Sequence, residues 1–206
     1  MTFGFALAAA VLLLILWLGQ GVRRIGSVSV GERIPERNGS ALLLIDLQSV
    51  FWDHGPYSEA AKDLAASKIL KEVEAARAQE YPVIAVRQEW SIPSTKAVAR
   101  LAMKGQAMAG SEGTELAERF ASLPQHILIK RVQDAFETGE LDALLERLNV
   151  GKLRLVGLDL NYCVQKTALA AAHRGYDVTV VKAGTLAVVP TEAAEDRMMS
   201  AGVTIC

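Results

Sequence analysis

The chain has 206 residues, with 22 lysines and arginines against 23 aspartates and glutamates, which gives a net charge of -1. This length suits one α/β domain with its own core and is short for two. The balanced charge excludes the strongly basic surface typical of nucleic-acid binding, so no nucleic-acid partner is expected. Although 51% of the residues are hydrophobic, they are unevenly spread, because the first charged side chain is Arg23.

Residues 1–22 predict a transmembrane anchor. Of these 22 residues, 17 are apolar and none is charged, and about 20 apolar residues cross the hydrocarbon core of a bilayer as a helix. Trp17 and the following Arg23 and Arg24 are typical of a helix end at the membrane surface. A cleaved secretory signal is the main alternative, but such a signal carries positive charge before its apolar run. A buried core helix is disfavoured by the polar residues that follow.

Residues 23–39 predict a juxtamembrane linker, because they are polar, contain glycine and serine, and lack clear periodicity. Four arginines follow the apolar run: Arg23, Arg24, Arg33 and Arg37. By the positive-inside rule, we expect a single-pass membrane protein with its domain in the cytoplasm. Cys163 and Cys206 are too few for a disulfide framework, which agrees with a reducing compartment.

From residue 40 onward, short apolar runs alternate with longer stretches of helical period, a pattern typical of βαβ units. Most of the runs are apolar throughout, as expected for strands covered on both faces. The sequence therefore predicts a three-layer, Rossmann-like α/β domain over residues 40–206, with a six-stranded parallel sheet between helices. The predicted strands are ALLLID, PVIAVR, HILIK, KLRLVGL, DVTVVKA and VTIC.

The longest predicted helix, SEAAKDLAASKILKEVEAARAQ, has one apolar stripe and connects the first two strands. Three further helices are predicted from about residue 139, over 162–174 and over 191–201. Glycines that accept the left-handed conformation are predicted to end them, at Gly151, Gly175 and Gly202. Residues 91–122 have no clear pattern and are candidates for substrate specificity or for a subunit contact in a homo-oligomer.

Three polar residues lie at predicted carboxyl ends of strands, where ligands bind in an open parallel sheet. Asp46 ends the first strand, Lys130 ends the third, and Cys163 follows the fourth at the start of a helix. Each alone has an ordinary interpretation, as a turn cap, a solvated strand end or a small core residue. Together they indicate chemistry, because all three belong to one edge of the sheet.

A cysteine in this setting suits nucleophilic catalysis. The thiolate is the nucleophile, and a nearby cation and a helix N-terminus lower the usual thiol pKa of about 8.5. Lys130 would supply the cation, and Asp46 would take the thiol proton and later deliver it to a leaving amine. Backbone N–H groups in the turn before Cys163 would face a developing oxyanion.

Three stretches give the chain a family resemblance: LLLIDLQSVFW, ILIKRVQDAFETGELDALL and LVGLDLNYCVQKTALAAAHRGYDVTVV. They resemble the isochorismatase-like cysteine hydrolases over nearly all of residues 40–206. The resemblance implies a triad of Asp46, Lys130 and Cys163 that hydrolyses a C–N bond through a thioester. It also implies a cis peptide between Leu158 and Asp159, and an oxyanion hole formed by the N–H groups of Asp159 and Cys163.

The departures from the family pattern narrow the chemistry. Nicotinamidases of this superfamily bind a divalent metal through an Asp-Trp-His stretch and a later histidine, whereas the corresponding stretch here is Gln88-Glu89-Trp90-Ser91. His54, His126 and His173 lack paired metal-ligand spacing, so no metal and no organic cofactor are expected. True isochorismatases cleave a vinyl ether and lack the nucleophilic cysteine, so Cys163 argues against that reaction as well.

The resemblance also places candidate pocket residues around the cysteine. They are Gln48, Phe51, Glu89, Trp90, Phe136 and Tyr162, although the aromatic ones also suit simple core packing. The leading hypothesis is a membrane-tethered hydrolase of a small amide, carbamoyl or ureido compound. The alternative is a catalytically inactive member of the family that serves as a binding or scaffold module at the membrane.

Overall fold

The computed structural model describes residues 2–206, and side chains from residue 5 onward. Its centre is a six-stranded sheet with the order β3-β2-β1-β4-β5-β6, in which every neighbouring pair is parallel. The prediction of a six-stranded parallel sheet is confirmed. The strands are β1 (Gly39–Ile45), β2 (Val83–Gln88), β3 (His126–Lys130), β4 (Val150–Leu158), β5 (Asp177–Leu186) and β6 (Thr204–Ile205).

Helices cover both faces of this sheet. The helices are α1 (Thr2–Ile25), α2 (Ser49–Trp52), α3 (Glu59–Ala78), α4 (Pro93–Ala102), α5 (Glu140–Arg147), α6 (Gln165–His173) and α7 (Glu192–Ser200). Leu145, Ala168 and Met198 from α5, α6 and α7 pack in one apolar core. Ile69 and Val73 of α3 pack in a second core on the opposite face. Burial on both faces explains why the sequences of most strands are continuous apolar runs.

The predicted helices differ from the structure in two places. The stretch predicted as one helix from residue 162 begins with a π-helical turn at Leu160–Val164, and regular α-helix follows only in α6. Gly151 does not end the preceding helix but lies inside β4. The left-handed residue after α5 is Asn149, with φ of 51°, because asparagine tolerates this conformation better than most residues.

The first helix projects from the domain and also docks on it. Phe5–Ile25 is long and apolar enough to cross a membrane, with a mean hydropathy of 2.2, although length and composition alone are weak evidence for a span. The helix ends at Ile25, three residues beyond the predicted anchor. At Gly21, a Cβ atom would lie 2.7 Å from the Ser94 carbonyl oxygen, so glycine permits the close approach of α1 to α4.

Residues 27–38 form neither helix nor strand and lie along the surface of the domain. The Ser29 N–H donates to Asp134 Oδ2 at 2.7 Å, and the Ile34 N–H donates to the Arg174 carbonyl at 2.8 Å. Arg174 Nη1 in turn donates to the Ser29 carbonyl at 3.1 Å. These bonds hold the segment as it runs from the carboxyl edge of the sheet, where α1 ends, to the amino edge, where β1 begins.

Candidate active site

The centre of the carboxyl edge is the point where the strand order reverses, between β1 and β4. Chain connections diverge there in a doubly wound sheet and leave a crevice. Asp46 directly follows β1, with φ of 53°, a left-handed conformation that aspartate tolerates. Gly157 of β4 has φ of 121°, and a Cβ atom there would collide with the Ile45 carbonyl oxygen. Glycine therefore lets the ends of β1 and β4 approach closely beneath the site.

Three side chains meet at this edge. Lys130 Nζ lies 2.9 Å from Asp46 Oδ2 and donates to Cys163 Sγ at 3.2 Å. The Lys130 side chain is 0% exposed and that of Asp46 is 2% exposed. An ion pair removed from water to this extent needs further hydrogen bonds to be tolerated, so its surroundings decide whether the cluster persists.

Gln88 accepts the main further hydrogen bond of the Lys130 ammonium. Lys130 Nζ donates to Gln88 Oε1 at 2.6 Å and to the Val132 carbonyl at 3.3 Å. Gln48 braces Gln88 in turn: its Oε1 accepts from the Gln88 N–H at 2.6 Å, and its Nε2 donates to the Gln88 carbonyl at 3.0 Å. The amide at the end of β2 therefore orients the ammonium between the carboxylate and the thiol. The sequence signal for Gln88 was its place at the carboxyl end of a neighbouring buried strand.

The electrostatics of the cluster differ from the sequence expectation. Burial raises the pKa of the Cys163 thiol, the Asp46 charge raises it further, and Lys130 only partly opposes these effects. Burial also raises the pKa of Asp46, against the lowering effect of Lys130. Burial would lower the pKa of Lys130, but the charges of Asp46 and Cys163 outweigh it and raise that pKa. The cysteine is thus held as a thiol beside a carboxylate of increased basicity.

The carboxylate has one oxygen available for a proton. Asp46 Oδ2 accepts from Lys130, while Oδ1 is buried and has no hydrogen-bond partner among residues 2–206. The Cys163 thiol interacts with the same carboxylate. The thiol is therefore placed to give its proton to this carboxylate.

Asp159 follows β4 and begins the turn that carries the cysteine. The peptide bond between Leu158 and Asp159 is cis, at the position that the resemblance implied. The Asp159 carboxylate holds this turn. Asp159 Oδ1 accepts from the Asn161 N–H at 2.8 Å, and Oδ2 accepts from the Val188 N–H at 2.9 Å and from the Tyr57 hydroxyl at 3.2 Å. Burial raises the pKa of Asp159, and the N–H donors oppose that rise. The side chain therefore fixes the turn to two other loops.

A cavity of about 400 Å³ opens onto Cys163 and Asp46. The predicted pocket residues Phe51, Trp90 and Tyr162 line it. Further lining residues that sequence reasoning missed are Tyr57, Met103, Gln106, Gln133 and Val188. These five come from loops and helix ends, where no strand pattern indicates which side chains converge.

The other three predicted pocket residues do not belong to the wall that the described residues form. Gln48 is fully buried as the brace of Gln88. Glu89 pairs with Arg87 at 2.9 Å, because the side chain one position after Gln88 points away from it. Phe136 is buried in the core, with the Arg174 guanidinium 4.6 Å from its ring centre. The core-packing interpretation applies to this aromatic residue.

Residues 2–206 contain no group of three or more histidine, cysteine, aspartate or glutamate side chains placed to hold a metal ion. At the stretch where nicotinamidases are expected to bind metal, Glu89 is engaged with Arg87. The side chains of the described residues therefore do not fit a metal centre.

Fold and site together define a parallel α/β domain that buries a cysteine beside a lysine–aspartate ion pair at its switch point. The model of the Isochorismatase domain matches residues 40–206. The chain therefore belongs to the isochorismatase family. None of the curated proteins compared with the chain matches it.

Solved structures share the fold over most of the chain. N-carbamoylsarcosine amidase from Thermoplasma acidophilum is 25% identical, with a TM-score of 0.69, and the match covers 82% of this chain and 95% of that one. Pyrazinamidase from Pyrococcus horikoshii, solved in complex with zinc, is 22% identical, with a TM-score of 0.67 over 82% and 99% of the two chains. Nicotinamidase from Bacillus subtilis is 18% identical, with a TM-score of 0.64 over the same shares.

Proposed function

We propose that this protein is a cysteine amidase that hydrolyses a C–N bond of a small amide, carbamoyl or ureido compound. The observation that carries the proposal is the buried cluster in which Lys130 Nζ contacts both Asp46 Oδ2, at 2.9 Å, and Cys163 Sγ, at 3.2 Å. A buried ion pair adds little or nothing to stability by itself, so its presence beside a thiol at the cavity favours a role in chemistry. The similarity to N-carbamoylsarcosine amidase supports the choice of a C–N bond.

In the proposed first half-reaction, Asp46 takes the thiol proton as Cys163 Sγ attacks the carbonyl carbon. The raised pKa of Asp46 makes it a better base for this transfer. Negative charge moves from the thiolate to the carbonyl oxygen, which the N–H groups of Asp159 and Cys163 would stabilise. Asp46 then returns the proton to the leaving nitrogen, the C–N bond breaks, and an acyl thioester remains on Cys163.

In the second half-reaction, water attacks the thioester carbon and gives a proton to Asp46. The tetrahedral intermediate collapses, the C–S bond breaks, and the proton passes from Asp46 to the sulfur. Lys130 stays protonated throughout, because the neighbouring charges raise its pKa, and it stabilises whichever of its two partners is negative. The cavity of about 400 Å³ has the size typical of sites for small molecules.

The test is a screen of small amides, ureides and carbamoyl compounds with the full chain in detergent, with ammonia release as the readout. Cys163→Ala should abolish turnover, and mass spectrometry of rapidly quenched wild-type protein should show an acyl adduct on Cys163. Cys206→Ala is the matched control, because Cys206 is an exposed free cysteine outside the cluster. Full turnover by Cys163→Ala would overturn the mechanism, and no turnover of any compound would favour the scaffold alternative.

We also propose that residues 1–22 anchor the protein in a membrane as a single span, with the domain in the cytoplasm. The apolar helix Phe5–Ile25 and the two arginines in its last turn, Arg23 and Arg24, support this placement. The full chain should stay in the membrane fraction after carbonate extraction. Protease added to intact cells should leave the domain uncut and should digest it once the membrane is opened. Release of the chain by carbonate would overturn the span.

A further inference from the structure

We propose that the substrate is an amphipathic amide whose hydrocarbon chain reaches the candidate active site from the membrane, through an apolar rim beside α1. This inference rests on the proposed amidase function and on the proposed span. The rim consists of Ala102, Met103, Tyr162 and Val188, which all line the cavity.

The length of α1 brings the membrane to this rim. The span Phe5–Ile25 has 21 residues, about the number that crossing a bilayer requires. Leu18 and Gly21 lie in the last turns of the proposed anchor, residues 1–22, and Ile25 follows shortly after it. All three residues are packed on the domain. The part of the domain that contacts these turns must therefore lie at the membrane interface.

That part of the domain is the wall of the cavity. Leu18 and Ile25 share one apolar cluster with Phe51, Trp90 and Met103, all of which line the cavity. A backbone contact adds to this packing, because the Ile25 carbonyl accepts from the Gln133 N–H at 3.1 Å, and Gln133 is another lining residue.

The rim is apolar where it meets solvent. Tyr162 is 47% exposed and Val188 is 53% exposed. Next to Ala102 and Met103, at the end of α4, Leu101 is 76% exposed. Apolar side chains gathered at the mouth of a site in this way suit a hydrocarbon chain better than a freely soluble substrate.

Basic side chains border the same end of α4. Arg100 and Lys104 are exposed there, and Arg23 and Arg24 lie in the last turn of α1. Positive charge at this level matches the anionic headgroups of a cytoplasmic leaflet. The amide head of the substrate would lie in the polar interior of the cavity while its chain extends past the rim into the bilayer.

The experiment uses the full chain in lipid nanodiscs and straight-chain primary amides from acetamide to dodecanamide. The readout is kcat/KM referred to the free aqueous concentration of each amide, with partitioning into the nanodisc measured separately. We expect kcat/KM to rise about three- to fourfold for each methylene that leaves water for the rim or the bilayer. Binding of the same amides to Cys163→Ser is measured in parallel, so that chain-length dependence is also read without turnover.

Two matched pairs of variants test whether the rim causes the dependence of kcat/KM on chain length. Met103→Gln should reduce the ratio of dodecanamide to acetamide turnover about tenfold, and Val188→Thr should reduce it by a smaller factor. Met199→Gln and Val189→Thr are the controls. Val189 is about as exposed as Val188, Met199 is more exposed than the partly buried Met103, and neither control residue lines the cavity. Both controls should retain the wild-type ratio.

The outcomes separate the inference from the proposed function. Hydrolysis of acetamide with no gain along the series, or equal ratios in Met103→Gln and Met199→Gln, would overturn the inference alone. Binding to Cys163→Ser that strengthens with chain length, without hydrolysis of any amide, would support the ligand class and overturn the amidase function. Absence of both turnover and chain-length-dependent binding would overturn both.

Discussion

The cluster of Asp46, Lys130 and Cys163 differs in structure from the rim of the cavity. In the cluster, Lys130 and Asp46 are fully buried at the carboxyl ends of β3 and β1, and the partly exposed Cys163 lies in the π-helical turn after β4. The rim is apolar, partly exposed, and carried by the end of α4, the π-helical turn and the loop after β5. In the proposed enzyme, the lysine–aspartate pair thus depends on the sheet, whereas substrate choice depends largely on turns and helix ends that can change without disturbing the sheet.

The largest effect is expected from Lys130→Met, which breaks the cluster. It should abolish amide hydrolysis and lower the free energy of unfolding by about 3–5 kcal/mol, because Asp46 is left as an unpaired buried charge. The double variant Lys130→Met with Asp46→Asn should recover much of the stability but none of the activity. Thermal unfolding and ammonia release, measured on the same samples, check both effects. Recovery of activity in the double variant would contradict a catalytic role for the pair.

Asp46→Asn should distinguish the reactivity of the Cys163 thiol from the role of Asp46 as a base. The Asp46 charge raises the pKa of the Cys163 thiol, while Lys130 lowers it, so removing the carboxylate charge should lower that pKa. In a Cys206→Ser background, iodoacetamide alkylation of Cys163 should therefore reach its half-maximal rate at a lower pH, while hydrolysis falls at least about 1,000-fold. A midpoint that stays fixed would show that the Asp46 charge does not affect the pKa of the thiol, and a midpoint that rises would show that Asp46 lowers it.

A smaller loss is expected from Gln88→Met, which keeps the volume and removes the acceptor of Lys130. A hydrogen bond to a charged group contributes about 1.5–3 kcal/mol, so kcat/KM should fall about 10- to 100-fold if Gln88 positions the ammonium. The pH midpoint of Cys163 alkylation should move with it, which a purely structural role would not cause. Gln79→Met, at the exposed end of α3, is the control and should change neither quantity.

The smallest effect concerns the contact between α1 and the rim. Gly21→Ala should push α1 away from Ser94 and lower dodecanamide turnover in nanodiscs a few-fold. Gly19→Ala places the same methyl in the same helix with no atom within 4 Å, so it should be neutral or slightly favourable to the helix. Equal turnover by the two variants would show that the α1–α4 contact has no part in substrate access.

The sheet and the cluster could be predicted from the sequence because both depend on local pattern. Continuous apolar runs indicate buried parallel strands, and parallel strands bring their carboxyl ends to one edge, so Asp46, Lys130 and Cys163 were expected together. The cavity wall could not be predicted in the same way. Tyr57 and Met103 line the cavity from segments without a periodic apolar pattern. Phe136 does not line it, because its ring packs against the Arg174 guanidinium in the core.

The docking of α1 and of the segment after it could not be predicted from the sequence either. An apolar helix followed by polar residues with glycine and serine is typical of an anchor and a free tether, yet residues 27–38 are bonded to the domain at both Ser29 and Ile34. The bonds join backbone groups to Asp134 and Arg174, which lie more than 100 residues away in the sequence. No local pattern indicates such long-range partners.

The bonded segment between α1 and β1 also affects how the protein would meet its substrate. A flexible linker would let the domain rotate freely, so that every face of it would contact the bilayer at some time. In the proposed setting, the bonds of residues 27–38 and the contact of α1 with α4 would hold the helix and the domain together, so the mouth of the site would stay turned toward the lipid. Encounter would then become a search by lateral diffusion in two dimensions, with an effective concentration set by the membrane instead of the cytosol.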